Sequence, residues 1–408
     1  VTSIHAAPIP GNRPSLSRGN NQENQPVLRR GRTHWSVVAG FSALVALCPA
    51  GAGQPDGATH RDLVFDGPAN DRTYEARLVL PPEPERNGYA VLLLGGGSVT
   101  DMHWTVPAEF DFDGRHYEPT IDHQTTRDAD TIAAALADAG FVVMQWSSIH
   151  RDDELARKSP ALAMGIPYPA SVALARRALT VMRGQPEVDP DRVILLGHSL
   201  GATRACQIAD DGVVGMVFLA GAYLSRFSHR ASTPAAETFE ELRGIDADAD
   251  GIVNPKELHA FAREHRDDAH RPLRAGASRL DRDGDGVLRN WEIKAARALE
   301  RLDEGDDSVL SEREQFRDGL PWADSVLRSR PHLPVLSLHG GLDALSVHGP
   351  LLERLKAEHG LNELTIEYFP GLGHQLSRQE GEKIGPIDPG VVARIVEWLT
   401  GHFATDGD

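Results

Sequence analysis

The sequence predicts an α/β fold: a mostly parallel sheet flanked by helices, carrying an all-α insertion in its second half. Three observations support this. Short apolar runs of strand length alternate with helix-length segments, the pattern of strands covered on both faces by crossover helices. One run, residues 193–196, leads straight into Gly197-His198-Ser199-Leu200-Gly201, the signature of a sharp strand-to-helix turn. The alternation stops near residue 221, yields to a stretch rich in Asp and Gly, and resumes at residue 334.

The N-terminal part carries its own signal. After 26 polar, patternless residues come Arg29-Arg30-Gly31-Arg32, an apolar stretch at residues 37–47 and the small residues Ala50-Gly51-Ala52. Basic, apolar and small-residue segments in that order predict a secretory signal cleaved after Ala52, and the apolar stretch is too short for a stable membrane span. The expected location is secreted or periplasmic. Cys48 leaves with the signal, so Cys206 is the one cysteine of the mature protein and no intramolecular disulfide is expected. The chain begins with Val1 and its first Met is Met102, so an alternative start codon is expected, with Val27 a second candidate start. The resulting plan is an extension and signal at 1–52, a first core part at 53–228, the insertion at 229–330 and a second core part at 331–408. With 59 acidic against 42 basic residues, a net charge of −17 argues against a nucleic-acid-binding surface.

Within the core, residues 63–65 and 74–80 alternate like paired antiparallel strands around a Gly-Pro-Ala-Asn-Asp turn. Strands are expected at 90–94, 141–146, 193–196, 213–219, 334–338 and 364–369, and helices at 129–139, 170–182, 350–358 and 389–400. The run at 90–94 ends in Gly95-Gly96-Gly97. Ser199 stands where Gly197 and Gly201 leave room for a strained backbone, and residues 202–209 form the helix whose N-terminus faces it. A serine so placed is a candidate nucleophile, with the Leu200 N–H as one oxyanion donor.

From here the chain resembles the α/β-hydrolase fold, over residues 62–221 and 331–403. The resemblance implies a triad in the chain order Ser, acid, His. Asp343, in Leu338-His-Gly-Gly-Leu-Asp343, and His374, in Phe369-Pro-Gly-Leu-Gly-His374, follow strand ends in that order. His374 is then the general base and Asp343 fixes its tautomer, with Asp388 and Asp324 as fallback acids. The resemblance also puts a second oxyanion donor in the loop after the third strand, at Gly96 or Gly97. A histidine-glycine-glycine-glycine form of that loop would have His where this chain has Leu94. His103 and Trp104 are candidates to line the acyl or leaving-group pocket.

The insertion contains Asp246, Asp248, Asp250, Gly251, Ile252 and Glu257 at loop positions 1, 3, 5, 6, 7 and 12 of an EF-hand. Hard carboxylate oxygens, the Ile252 carbonyl and a bidentate Glu257 suit Ca²⁺. The pattern recurs with Asp281, Asp283, Asp285, Gly286, the Val287 carbonyl and Glu292, and the apolar eighth residues Val253 and Leu288 are expected to pair as a short ribbon. A weaker third loop runs through Asp303, Asp307 and Val309 to Glu314, in a spacing that resembles dockerin-type repeats. Two Ca²⁺ sites, with a third as an option, are expected to hold the insertion over the C-terminal edge of the sheet.

The leading expectation is a secreted serine hydrolase acting on a small-molecule carboxylic ester through an acyl-enzyme. The alternatives are a peptidase of the prolyl oligopeptidase type, and a catalytically inert calcium-dependent binding module. Aspartate-nucleophile chemistry is disfavoured by serine at position 199.

Overall fold

A computed structural model describes residues 58–68, 72–97, 100–112, 115–151, 168–221, 245, 252–253, 255–264, 288–289, 323–343, 348–380 and 383–403. Its framework is one eight-stranded sheet: β1 (Thr59–Asp66), β2 (Thr73–Leu80), β3 (Ala90–Leu94), β4 (Val142–His150), β5 (Val193–His198), β6 (Val213–Leu219), β7 (Val335–Gly340) and β8 (Leu364–Phe369). The spatial order is β1-β2-β4-β3-β5-β6-β7-β8. β1 pairs antiparallel with β2, and β2 antiparallel with β4; every other neighbour is parallel. This mostly parallel sheet with flanking helices fits the α/β-hydrolase fold.

Period-two geometry explains why the parallel strands read as unbroken apolar runs. In β3, Leu92 and Leu94 join one core while Val91 and Leu93 join the other, so every side chain is buried on one face or the other. The first core is closed by α2 (Tyr168–Arg183), α3 (Leu200–Ile208), α5 (Ala323–Ser329) and α6 (His348–His359), through Leu179, Ala205, Val326 and Leu352. The second is closed by α1 (Asp128–Asp138) and α7 (Pro389–Phe403), through Ile132, Leu136, Ile395 and Leu399. Truncating one of these fully buried leucines to alanine would cost about 2–5 kcal/mol. α5 falls at the end of the stretch expected as insertion, yet it buries Ala323, Val326 and Leu327 in the first core.

The strand order also positions the functional residues. From β3 the chain steps to β4 on one side, then returns past β3 to β5, so the order reverses at β3 and β5. Open parallel sheets bind ligands at the carboxyl ends of strands at such a switch point. Gly95-Gly96-Gly97, Ser199 and Asp343 follow the C-terminal ends of β3, β5 and β7, and His374 follows β8.

Several elements exceed the expectation. β4 continues past Trp146 through Ser147, Ser148 and Ile149, because the two serines are buried with their hydroxyls bonded, Ser147 to Ile149 and Ser148 to Thr100. Short ribbons pair Thr105–Val106 with Thr126–Arg127, Phe110–Phe112 with Arg115–Tyr117, and Ser377–Glu380 with Lys383–Ile387. Within the stretch expected as an insertion, Ile252–Val253 pairs antiparallel with Leu288–Arg289, and Val253 stands opposite Leu288. Helix α4 (Pro255–Glu264) begins nine residues after Asp246 in sequence, with Glu257 in its first turn. The expected signal region, 1–52, and the expected calcium-loop residues Asp246, Asp248, Asp250, Asp281, Asp283, Asp285, Val287, Glu292, Asp303, Asp307, Val309 and Glu314 lie outside the described residues. No helix among the described residues is long and apolar enough to cross a membrane.

Candidate active site

The turn at Ser199 is held in a conformation that L residues rarely adopt. Ser199 has φ 52° and ψ −121°, and its N–H donates to the Leu219 carbonyl at 2.8 Å, tying the turn to β6. Such a backbone costs on the order of 1–3 kcal/mol and persists only where its surroundings over-determine it. Here the surroundings are backbone at van der Waals contact. A Cβ at Gly201 would run into the Leu94 carbonyl, and one at Gly197 into the backbone of Gly201 and Ala202. Both glycines are therefore required for α3 to start directly beneath the serine.

Ser199, His374 and Asp343 are brought together across 175 and 31 residues of sequence. His374 Nε2 lies 2.9 Å from Ser199 Oγ, and His374 Nδ1 lies 2.9 Å from Asp343 Oδ2. A carboxylate accepts but cannot donate, so Nδ1 carries the ring proton and donates a hydrogen bond to Asp343, which leaves Nε2 free to accept from the serine hydroxyl. Backbone bonds hold the two loops in register: Gly341 N–H donates to Phe369 O at 2.8 Å and Leu342 N–H to Leu372 O at 2.9 Å. His374 is the most open of the three, its side chain 31% exposed, against 3% for Asp343 and 9% for Ser199.

Electrostatics follow from burial and this one carboxylate. Burial alone would depress the His374 pKa, but the charge and hydrogen bond of Asp343 outweigh it and hold the imidazole above its ordinary value. Three further histidines nearby are neutral. His198 is pushed down to about 4 by burial and by His374; its Nε2–H donates to the His374 carbonyl at 3.0 Å. His348 is held at about 4, by burial against the opposing pull of Asp343, and His339 at about 3, chiefly by burial. His339 Nε2 lies 2.8 Å from Ser337 Oγ. Sequence reading passed over all three. Only the position of His198, inside the Gly-His-Ser-Leu-Gly turn, could have marked it.

A Cβ at Gly96 would lie 3.3 Å from Ser199 Cβ and 2.8 Å from His198 Nδ1, so the glycine loop after β3 packs directly on the Ser199 turn. Gly97 has φ 61°. Among the described residues, no hydrogen bond occupies the N–H of Gly96, Gly97 or Leu200. Leu200 opens α3, whose N-terminal dipole favours negative charge.

The remaining candidates divide. The Trp104 ring sits 6.0 Å from that of His198, beside the site. His103 is turned instead toward α1, its Nδ1 2.7 Å from Asp130 Oδ1, and its carbonyl accepts the Ala129 N–H. The fallback acids are engaged elsewhere than at His374: Asp324 bonds Arg328 on α5, and Asp388 caps α7 through the Val391 and Gly390 N–H groups. Cys206 is fully buried on α3 and its thiol pKa is pushed up by burial, so it is not a competing nucleophile.

No protein-family profile matches the chain, and no curated protein resembles it in sequence. Among solved structures it is similar to the alpha/beta hydrolase GrgF from Penicillium sp. sh18, at 15% identity and TM-score 0.43, over 85% of this chain and 99% of that one. A fungal esterase from Rhizomucor miehei gives 13% identity and TM-score 0.43, over 85% and 83%. A lipase in its open form gives 13% identity and TM-score 0.42, over 85% and 100%. At these levels the fold stands on its own strand order and the site on its own geometry.

Proposed function

We propose that this protein is a secreted, calcium-binding serine hydrolase that cleaves carboxylic esters through an acyl-enzyme on Ser199, His374 and Asp343. The observation that carries the reading is the continuous hydrogen-bond chain from Ser199 Oγ through both His374 nitrogens to Asp343, at 2.9 Å per link. In the first half-reaction Ser199 Oγ attacks the ester carbonyl as His374 Nε2 takes its proton. Negative charge developing on the carbonyl oxygen is stabilised by the Leu200 N–H and a donor from the Gly96–Gly97 loop. His374 then returns the proton to the departing alcohol. Water repeats the sequence on the acyl-enzyme and frees the carboxylic acid. Asp343 stays ionised throughout and stabilises the imidazolium.

Calcium would be held by Asp246, Asp248, Asp250, the Ile252 carbonyl and Glu257, and by Asp281, Asp283, Asp285, the Val287 carbonyl and Glu292. The pairing of Val253 with Leu288 supports two adjacent loops of this kind, and the place of Glu257 in the first turn of α4 supports its role as twelfth ligand. A third ion would use Asp303, Asp307, the Val309 carbonyl and Glu314. With an ion held there, these carboxylates would no longer repel one another. Where calcium is a thousandfold above the dissociation constant, mass action stabilises the fold by about 4 kcal/mol. Secretion rests on the layout of residues 29–52.

Hydrolysis of p-nitrophenyl esters of graded acyl length, in calcium and in excess chelator, tests the proposal. Turnover in calcium, with a lower melting temperature in chelator, is expected. No turnover of any ester by calcium-loaded protein would sink the hydrolase reading. Unchanged melting on chelation would sink the calcium reading.

A further inference from the structure

A loop of three consecutive glycines is the most pliable stretch a chain can contain, yet an oxyanion donor must be fixed before the reaction begins. Thr100 supplies the constraint. Its Oγ1–H donates to the Gly96 carbonyl at 3.1 Å. Thr100 is itself fastened to β4. Its N–H donates to Ser148 Oγ at 2.7 Å, while its carbonyl accepts from the Ser148 N–H at 2.9 Å and from Ser148 Oγ–H at 3.1 Å. Ser148 is 2% exposed, so the anchor is rigid.

The consequence follows from peptide geometry. In a trans peptide the carbonyl and the next N–H point to opposite edges. With its carbonyl turned to Thr100, the Gly96–Gly97 peptide sends the Gly97 N–H to the opposite edge. The preceding peptide is turned the other way round. Its Gly95 carbonyl faces the start of α3, where a Cβ on Gly201 would come within 2.7 Å of it, so the Gly96 N–H points away from the nucleophile turn.

We propose that Thr100 is a positioning residue: braced by Ser148, its hydroxyl sets the Gly96–Gly97 peptide so that the Gly97 N–H, and not that of Gly96, joins Leu200 as oxyanion donor. This rests on Ser199 being the nucleophile. In Thr100→Val the shape is kept and the donor removed. Turnover of p-nitrophenyl butyrate should lose about 10- to 100-fold in kcat with KM within about twofold. Affinity for a boronic acid inhibitor should fall in parallel with kcat/KM, and Thr100→Ser should return to within about threefold of the parent. Ser148→Ala loosens the brace from the far side and should lower kcat in the same direction, which keeps the inference testable if Thr100→Val does not fold. An unchanged kcat in these variants, a loss confined to KM, or a Thr100→Ser variant as impaired as Thr100→Val would overturn it. If a fluorophosphonate fails to label Ser199 in the parent, the nucleophile assignment falls and this inference with it. If the parent is labelled and active while Thr100→Val matches it, this inference alone falls.

Discussion

Replacing Asp343 with asparagine isolates the contribution of one buried charge. Asp343 is 3% exposed and accepts from His374 Nδ1 at 2.9 Å. With charge centres about 4 Å apart and an effective dielectric of about 20, the imidazolium of the transition state loses about 4 kcal/mol of attraction. The His374 side chain is 31% exposed, and solvent screening on that edge brings the figure to about 3 kcal/mol, or roughly two decades in rate. The asparagine amide also donates to Nδ1 and so favours the tautomer that cannot accept from Ser199. Together these effects should lower kcat by about 10³- to 10⁴-fold. The pH profile gives a second readout. Activity requires neutral His374, so it rises as pH passes upward through a pKa that Asp343 holds above its ordinary value. With the carboxylate gone and burial remaining, the midpoint of kcat/KM against pH should move to lower pH. A variant within tenfold of the parent and with the same midpoint would refute this reasoning, as would an equal loss from Asp324→Asn.

Three further outcomes follow from the same geometry. Since Ser199 sits at φ 52°, ψ −121°, Ser199→Gly should be more stable in urea than Ser199→Ala by about 1–2 kcal/mol, reversing the usual order; an alanine variant equally stable would mean the turn stores no strain. Burial pushes the Asp128 carboxyl at the start of α1 up to about 7 from 3.8, with the Ile387 N–H opposing. Because the folded pKa is the higher, its stabilising contribution is full below about 4 and is lost as pH rises through 7. Unfolding free energy of the parent relative to Asp128→Asn should therefore fall by up to about 4 kcal/mol between pH 4 and 8, and a constant difference would rule out burial as the cause. Excess chelator should lower the melting temperature of the parent, and Glu257→Gln should reproduce part of that drop; an unaffected variant would remove Glu257 from the calcium loop.

The sheet was readable because its parallel strands are buried on both faces, which leaves unbroken apolar runs such as residues 90–94 and 193–196. The positions of Asp343 and His374 were readable from a different signal: each follows a strand-length segment, residues 335–338 and 364–369, and a glycine-rich turn, in the chain order Ser, acid, His. What stayed hidden lacks a local pattern. Strands of two or three residues, such as 105–106 and 126–127, are too short to show a period. The end of β4 was cut short because buried serines look like surface residues in sequence, although their hydroxyls are bonded inside the fold. The bond from His198 to the His374 carbonyl joins residues 176 apart, and that from Ser148 to Thr100 joins residues 48 apart. Contacts of this kind exist only once the strand order β4-β3-β5-β6-β7-β8 has brought the loops to one edge.

Mass spectrometry of calcium-loaded protein after exposure to a fluorophosphonate tests the assignment of Ser199 most directly. One phosphonyl group per chain is expected, on the peptide containing Ser199, absent from Ser199→Ala and strongly slowed in His374→Ala. Protein that stays unlabelled, or that carries the group on another residue, would contradict the account.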